Sequence, residues 1–184
     1  PKESSGNALT ITTHAAVAVV RAVKELYDIS LSIKWVNDLF LNGKKVCGIL
    51  AEGKFCPALE YCIMGIGINL FTPEGGYPAE ISEIAGSLFG EYQEERFFDF
   101  DRNRLMATIL YHYFCICDEK EVLPEYRENN LVLGRRVLFS ENGIEKEGVV
   151  TGFQCIANSL IRRSEICFMR KEIKFDFRAV TMLY

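Results

Sequence analysis

The sequence predicts an α+β fold, in which a sheet flanked by helices is followed by a small β module. Asn42-Gly43 lies between two apolar segments and is the strongest short hairpin signal, because both central residues of a type I′ turn need positive φ. Two long helical segments lie on either side of the predicted strands, and after Asn130 the pattern changes to short strands and turns. Strands that are neighbours in sequence, with helices grouped outside them, favour α+β over a regular β-α alternation.

The individual elements follow from periodicity and punctuation. A helix is predicted over 8–27, where Ala, Val and Leu dominate and charges collect near the end. Extended structure is predicted over 31–41, a return strand over 45–52, a further strand over 59–70 and a loop over 71–76. A short helix is predicted over 81–89, and a long amphipathic helix begins after an Asp101 N-cap and runs to about residue 119.

Composition restricts the classes of partner and compartment. The net charge of −4 gives no general electrostatic case for a nucleic-acid partner. The seven cysteines are an odd number without a Cys-x-x-Cys pair, so we expect buried, reduced thiols and a cytoplasmic protein. No apolar run reaches membrane-spanning length, and we expect no membrane association.

The predicted hairpin brings chemically useful side chains together. With a two-residue loop, regular pairing sets Phe40 opposite Lys45 and Asp38 opposite Cys47, so all four side chains share one face. An acid, an amine and a thiol would then lie side by side. Acid–amine pairs on a sheet are usually solvated surface pairs of little energetic value, and that alternative stays open.

Glycines in the two strands that follow the turn add to this signal. Gly48 lies in the return strand, and Gly65 and Gly67 lie in the next one. A glycine inside a strand often marks the close approach of a ligand or of another backbone. A bulged, buried strand is the alternative interpretation.

Three linked motifs carry a resemblance to a known family. KWVNDL at 34–39, KKVCGILAE at 44–52 and GIGIN at 65–69 resemble, in order and approximate spacing, the KWPND-like, KK-x-x-GIL-x-E and GIGIN-like elements of biotin–protein ligases. The resemblance implies a mixed-sheet core like that of class II synthetases over 1–130. It also implies an SH3-like β-barrel over 131–184.

The resemblance implies an ATP-dependent ligase that forms biotinyl-5′-AMP. The biotin would then be transferred to a lysine of a biotin carboxyl carrier protein domain, as in acetyl-CoA carboxylase. ATP and biotin are the implied substrates and Mg²⁺ the implied metal, and a homodimer stays open as an assembly.

The resemblance also assigns roles residue by residue. Lys45 matches the family's central lysine, which binds the biotin carboxylate and the α-phosphate, and Asn69 matches the residue that contacts adenine. The matched positions are Lys45, Lys34 and Asp38 for catalysis; Lys45, Gly48 and Leu50 for biotin; Lys34, Asn37, Gly67 and Asn69 for ATP and the adenylate; and Asn37 and Asp38 for Mg²⁺.

The chain departs from the family pattern in ways that leave alternatives open. Val36 replaces the usual proline, and the match is poor over 154–170. The family's GRG-x-x-x-R biotin loop lies upstream of the first helix and is absent from this sequence, so we expect an N-terminal part outside it. A catalytically incomplete ligase-like binding module and a relative of lipoate–protein ligases are the two alternatives.

Overall fold

Two antiparallel sheets and two long helices make up the described part of the chain. The computed structural model describes residues 8–55, 59–92, 94, 100–141, 144–154, 165–168, 171–174 and 181–182. The first sheet has four strands in the order β1-β2-β3-β4, and its members are β1 (Ser32–Lys34), β2 (Asp38–Leu41), β3 (Lys44–Phe55) and β4 (Leu59–Ile68). The α+β prediction is confirmed.

Helix α1 (Ala8–Tyr27) forms the core against this sheet and has the predicted bounds. Its side chains from Ala15 to Val19 are all buried, and alanines recur among them, so the helix can approach its neighbours closely. Isoleucine, leucine and valine side chains of β1, β2 and β3 complete the same core. The burial of these side chains accounts for the apolar composition of the helix.

Helix α2 (Arg102–Ile116) packs against α1 and starts where the sequence predicts. The Asp101 carboxylate accepts a hydrogen bond from the Arg104 backbone N–H at 2.9 Å, which satisfies one of the free donors at a helix start. The helix ends at Ile116, three residues before the predicted end. His112 of α2 lies 2.7 Å from the Glu25 carboxylate of α1 and links the two helices.

The Asn42-Gly43 turn is confirmed, but the predicted hairpin register is wrong beyond Phe40. Asn42 and Gly43 both have positive φ, and Phe40 pairs with Lys45 as predicted. A β-bulge then shifts the pairing, so that Asp38 lies opposite Gly48 and not opposite Cys47. The extra residue in β3 turns two consecutive side chains into the core, which regular alternation cannot do.

Two further predictions need correction. The segment 31–41 is not continuous, because a turn over 35–37 separates β1 from β2 and folds them into an antiparallel pair; the Trp35–Val36 peptide bond in this turn is cis. The segment 81–89 is not helical. Its backbone instead bonds to β3, where the Lys45 N–H donates to Ile84 and the Gly86 N–H donates to Lys45.

The chain after residue 130 forms a second sheet in the order β8-β7-β6-β5-β9. A short helix, α3 (Pro124–Glu128), precedes it. The strands are β5 (Arg136–Glu141), β6 (Ile144–Gln154), β7 (Glu165–Phe168), β8 (Lys171–Lys174) and β9 (Thr181–Met182). The predicted change to short strands is confirmed, whereas Asn142 and Gly143 of the predicted turn lie outside the described residues.

Two expectations concern membranes and cysteines. Among the described residues, no helix is both long and apolar enough to cross a bilayer. Cys47, Cys62, Cys115 and Cys117 are free thiols; Cys47 is buried as expected, whereas Cys115 is exposed, contrary to the expectation.

Candidate functional site

An open cleft lies on the face of the first sheet that is turned away from α1. Its volume is about 480 Å³. It is lined by Asn37, Asp38, Lys45, Gly48, Ile49, Leu50, Gly65, Ile66 and Gly67. All three sequence motifs therefore contribute to one surface, although the lining residues lie up to 30 positions apart in the chain.

Backbone without side chains forms the floor of this cleft. Gly48 of β3 lies directly opposite Gly67 of β4, and Leu50 lies opposite Gly65. A Cβ atom on Gly48 would lie 3.4 Å from both Cε and Nζ of Lys45, closer than most side-chain contacts. Glycine at this position thus leaves the space in which the lysine side chain folds over the strand.

An ion pair stands at one end of this floor. The Lys45 ammonium lies 2.6 Å from the Asp38 carboxylate, and both side chains are partly exposed to solvent. An ammonium has three N–H donors. The pair with Asp38 occupies one of them, so Lys45 can still bind an anion that enters the cleft.

Asn37 fixes the turn that leads into Asp38. Its side-chain Nδ2 donates to the Ile49 carbonyl at 2.6 Å, and the Ile49 N–H donates to the Asn37 carbonyl at 2.9 Å. These two hydrogen bonds attach the turn to β3. They use the Nδ2 group of Asn37, so its side-chain oxygen is the acceptor that this lining residue can offer to a ligand.

Lys34 lies on the same sheet but outside the cleft lining. It pairs directly with Asp38 across the β1–β2 hairpin, and its ammonium lies over the Phe40 ring, 5.8 Å from the centroid. The structure therefore brings Lys34 near the acid of the cleft, while its predicted contact with phosphate stays a prediction.

Cys47 does not share the face of Lys45, contrary to the prediction. The bulge turns it into the core, where it is 2% exposed. Burial raises the pKa of the Cys47 thiol to about 12; the negative charge of Asp38 adds to this, and Lys45 opposes it. The thiol is neutral at physiological pH and belongs to the core.

Of the other predicted site residues, Leu50 lies in the cleft and Asn69 lies outside it. Leu50 lines the cleft and is 62% exposed, so an apolar ligand would find an uncovered surface there. Asn69 lies beyond the cleft and lines a neighbouring depression of about 400 Å³. Its Nδ2 donates to the Gly86 carbonyl at 2.9 Å, so one of its two side-chain N–H groups already holds the chain in place.

The motifs did not indicate the segment 82–86, whose backbone forms hydrogen bonds with Lys45. A Cβ atom on Gly86 would lie 2.5 Å from Cβ of Lys44, so only glycine allows this approach. The Lys44 ammonium donates to the carbonyls of Ser82 and Glu83 and so fixes the same segment. In the sequence, Pro78 shortly before the predicted helix 81–89 and Gly86 within it were the signals against a helix.

The arrangement offers one cation beside exposed backbone, a carboxylate and an apolar surface. Within the described residues, no group of three or more His, Cys, Asp or Glu side chains could hold a metal ion by itself. Mg²⁺ is usually bound through one or two carboxylates together with substrate phosphates, and Asp38 with the Asn37 amide oxygen fits that lesser requirement.

Comparison with known sequences gives consistent matches. Residues 2–69 match the Biotin/lipoate A/B protein ligase family. The bifunctional ligase/repressor BirA of Bacillus subtilis is 43% identical over 79 residues, which cover 42% of this chain and 24% of that protein. The biotin--[acetyl-CoA-carboxylase] ligase of Mycobacterium tuberculosis is 29% identical over 131 residues, which cover 67% of this chain and 45% of that protein. The chain thus spans less than half the length of these relatives.

Comparison with solved structures extends the likeness to the whole fold. A mutant biotin protein ligase from Aquifex aeolicus, solved in complex with biotin, matches with a TM-score of 0.69 and 25% identity over 100% of this chain and 75% of that chain. A second crystal structure of the ligase from that organism matches with a TM-score of 0.71 and 23% identity, over 96% of this chain and 76% of that one. The chain therefore has the α+β core fold of these proteins.

Proposed function

We propose that the chain belongs to the biotin–protein ligase family and supplies the adenylation site of an ATP-dependent biotin–protein ligase; the match of residues 2–69 to the family of biotin and lipoate ligases supports this proposal. In the first reaction the biotin carboxylate oxygen attacks the α-phosphorus of ATP, and pyrophosphate leaves. In the second reaction a lysine amine of the acceptor protein attacks the acyl carbon, and AMP leaves.

The observation that carries this proposal is the position of Lys45 over the glycine floor. Adenylation brings a carboxylate and a phosphate together, and their repulsion must be offset by a fixed positive charge. The Asp38 carboxylate, 2.6 Å from the Lys45 ammonium, holds that charge in place before substrate arrives. The bare backbone at Gly48 and Gly67 lets both anions approach closely.

Substrate orientation follows from the chemistry of the cleft walls. The carboxylate end of biotin lies at Lys45 and Gly48, and its apolar ring system lies along the exposed side chain of Leu50. The nucleotide extends from Lys45 past Gly67 toward Asn69, whose remaining amide groups contact the adenine. Lys34 and Asn37 contact the phosphates from the β1–β2 hairpin.

Mg²⁺ would be bound together with the nucleotide. Asp38 and the Asn37 amide oxygen are the protein groups that would hold it, with the remaining ligands from phosphate and water. When bound, the ion offsets charge on the triphosphate.

The acceptor in this proposal is a biotin carboxyl carrier protein domain. Residues 1–130 form the catalytic core, and residues 131–184 form a separate SH3-like module, which the order of β5 to β9 supports. The protein acts in the cytoplasm, and a homodimer stays open as its assembly.

A pyrophosphate-exchange experiment tests the proposal. The full product of the encoding gene should exchange labelled pyrophosphate into ATP only when biotin is present. Lys45→Ala should lower this exchange at least about 10²-fold, the usual effect of removing one preorganised donor. Lys54→Ala is the matched control, because Lys54 also lies on β3 and forms a 2.7 Å ion pair, with Glu60, but outside the cleft.

Three other outcomes would contradict the proposal. Exchange that depends on lipoate and not on biotin would identify a lipoate ligase. Binding of biotin and ATP without exchange would identify a catalytically incomplete binding module. Equal activity of Lys45→Ala and Lys54→Ala would show that Lys45 is an ordinary surface lysine.

A further inference from the structure

A buried tyrosine contacts the turn that precedes Asp38 from behind. Tyr126 of α3 is 0% exposed, and its hydroxyl donates to the Val36 carbonyl at 2.8 Å. Its ring also makes an edge contact with Trp35, with 6.1 Å between ring centroids. Tyr126 therefore contacts two of the three turn residues at 35–37, although it lies 90 positions further along the chain.

The segment that carries Tyr126 is itself fixed to the core. Glu125 forms an ion pair with Arg21 of α1. The Ile33 N–H donates to the Asn129 carbonyl at 2.7 Å, and the Leu131 N–H donates to the Ile33 carbonyl at 2.7 Å. These contacts bind the segment to α1 and to β1, so the tyrosine hydroxyl stands at a fixed point behind the turn.

The same turn is held on its other side by β3, through the two hydrogen bonds between Asn37 and Ile49. Asp38 is the next residue and pairs with Lys45. We propose that Tyr126 is a positioning residue, which holds the Asp38 carboxylate against the Lys45 ammonium through the Val36 carbonyl. Its effect on catalysis rests on the proposed adenylation, whereas its effect on the turn does not.

The hydroxyl is the group that performs this task. A phenylalanine would fill the same buried space but would leave the Val36 carbonyl without this donor. A partly buried carbonyl that loses its donor shifts the local balance toward open conformations of the turn. Because Asp38 follows directly, a turn that opens more often leaves Lys45 without its partner for more of the time.

Hydrogen exchange separates this role from general stability. In Tyr126→Phe, the Ile49 amide should exchange about fivefold faster than in the wild type, since losing one hydrogen bond of about 1 kcal/mol changes a local equilibrium by that factor. The amides in the middle of α1, at Val17 to Val19, should exchange at the wild-type rate. Tyr111→Phe is the control, because Tyr111 is 66% exposed on α2 and should change neither rate.

Kinetics supply the second measurement. The kcat of biotin-dependent pyrophosphate exchange should fall by up to about fivefold in Tyr126→Phe, the factor by which the equilibrium of the turn changes, with the KM values for ATP and biotin changed less than about twofold. An unchanged Ile49 rate would overturn the proposal, and so would equal acceleration of exchange in α1 and β3. A wild-type protein without exchange activity would contradict the proposed function alone, and the Ile49 amide would still decide whether Tyr126 positions the turn.

Discussion

At the scale of single residues, neighbouring side chains of β3 meet very different surroundings. Lys44 binds carbonyl groups of residues 82 and 83, Lys45 binds Asp38 in the cleft, and Cys47 is enclosed in the core. The sequence places two lysines side by side, but only the structure shows which of them the cleft receives. The family resemblance assigns the catalytic role to Lys45, which lies in the cleft lining, and that role stays a prediction.

Asn69 should distinguish the two substrates. Asn69→Ala removes an amide that we expect to contact adenine, and a lost contact of this kind costs about 1–3 kcal/mol. The KM for ATP should therefore rise about five- to 100-fold, and the KM for biotin should rise much less. The variant also loses the bond to Gly86, so its thermal stability is measured in parallel. Equal rises in both KM values would show that Asn69 only supports the end of β4.

Cys47 should resist alkylation. With its pKa raised to about 12, only about one thiol in ten thousand is ionised at pH 8, and burial blocks reagent as well. Iodoacetamide at pH 8 should label the exposed Cys115 in the native protein and leave Cys47 unlabelled, as peptide mass spectrometry would record. In guanidinium both should react, and labelling of Cys47 at the rate of Cys115 in the native protein would refute its burial.

The raised pKa of the Cys47 thiol also makes the free energy of unfolding depend on pH. The unfolded thiol ionises near its ordinary value of 9.0 and the folded thiol near 12. The thiol's contribution to the free energy of unfolding is therefore complete below pH 9 and is lost as the pH rises toward 12. Cys47→Ala should show a weaker fall in stability over that range than the wild type, by urea titration at each pH.

At the scale of elements, the sequence predicted those features that depend on adjacent residues and missed those that depend on packing between distant segments. The Asn42-Gly43 turn, α1 and the Asp101 cap follow from residues adjacent in sequence, and each is confirmed. The bulge in β3 depends on the core accepting both Val46 and Cys47, which alternation rules do not reveal. The segment 81–89 has apolar spacing typical of a helix, but its backbone bonds to β3.

Gly86 should be sensitive to a single added methyl group. A Cβ atom there would lie 2.5 Å from Cβ of Lys44, which is fixed to the backbone and cannot swing away. Gly86→Ala should cost about 1–3 kcal/mol, as overpacking usually does. The melting temperature should then fall by about 3–10 °C for a chain of this size.

Gly65→Ala is the matched control for this prediction. A Cβ atom on Gly65 would have its nearest neighbour, the Leu50 carbonyl oxygen, at 3.9 Å, which is ordinary contact. Calorimetric melting of both variants decides the matter. A Gly86→Ala variant as stable as Gly65→Ala would mean that the 81–86 segment does not press against Lys44.

At the scale of the whole molecule, the cleft is open and presents few polar side chains. Those in its lining are Asn37, Asp38 and Lys45. The ureido ring of biotin has one carbonyl and two N–H groups, and each needs a partner when it is buried. In the proposed binding mode Lys45 takes the carboxylate and Leu50 takes the ring system, and no further polar side chain among the described lining residues is left for the ureido group.

The 184-residue chain alone should therefore bind biotin with a Kd weaker than about micromolar. Each unmatched polar group costs about 1–3 kcal/mol, which removes orders of magnitude in affinity. Isothermal titration with biotin, with and without ATP, measures this, and biotin methyl ester serves as the ligand control that lacks the carboxylate. Micromolar or tighter binding would show that residues within this chain already satisfy the ureido group.

Because Val46 and Cys47 both face the core, β3 has one residue more between Lys45 and Gly48 than a regular strand would need. Deleting Val46 would set one residue of β3 against one of β2 and would leave Lys45 and Gly48 on the same face, paired with Phe40 and Asp38 as before. Inserting a residue would widen the mismatch with β2. At this point of the hairpin, shortening and lengthening the chain are thus unequal changes: losing one residue restores regular pairing of β2 with β3, whereas gaining one requires a larger bulge or a new register.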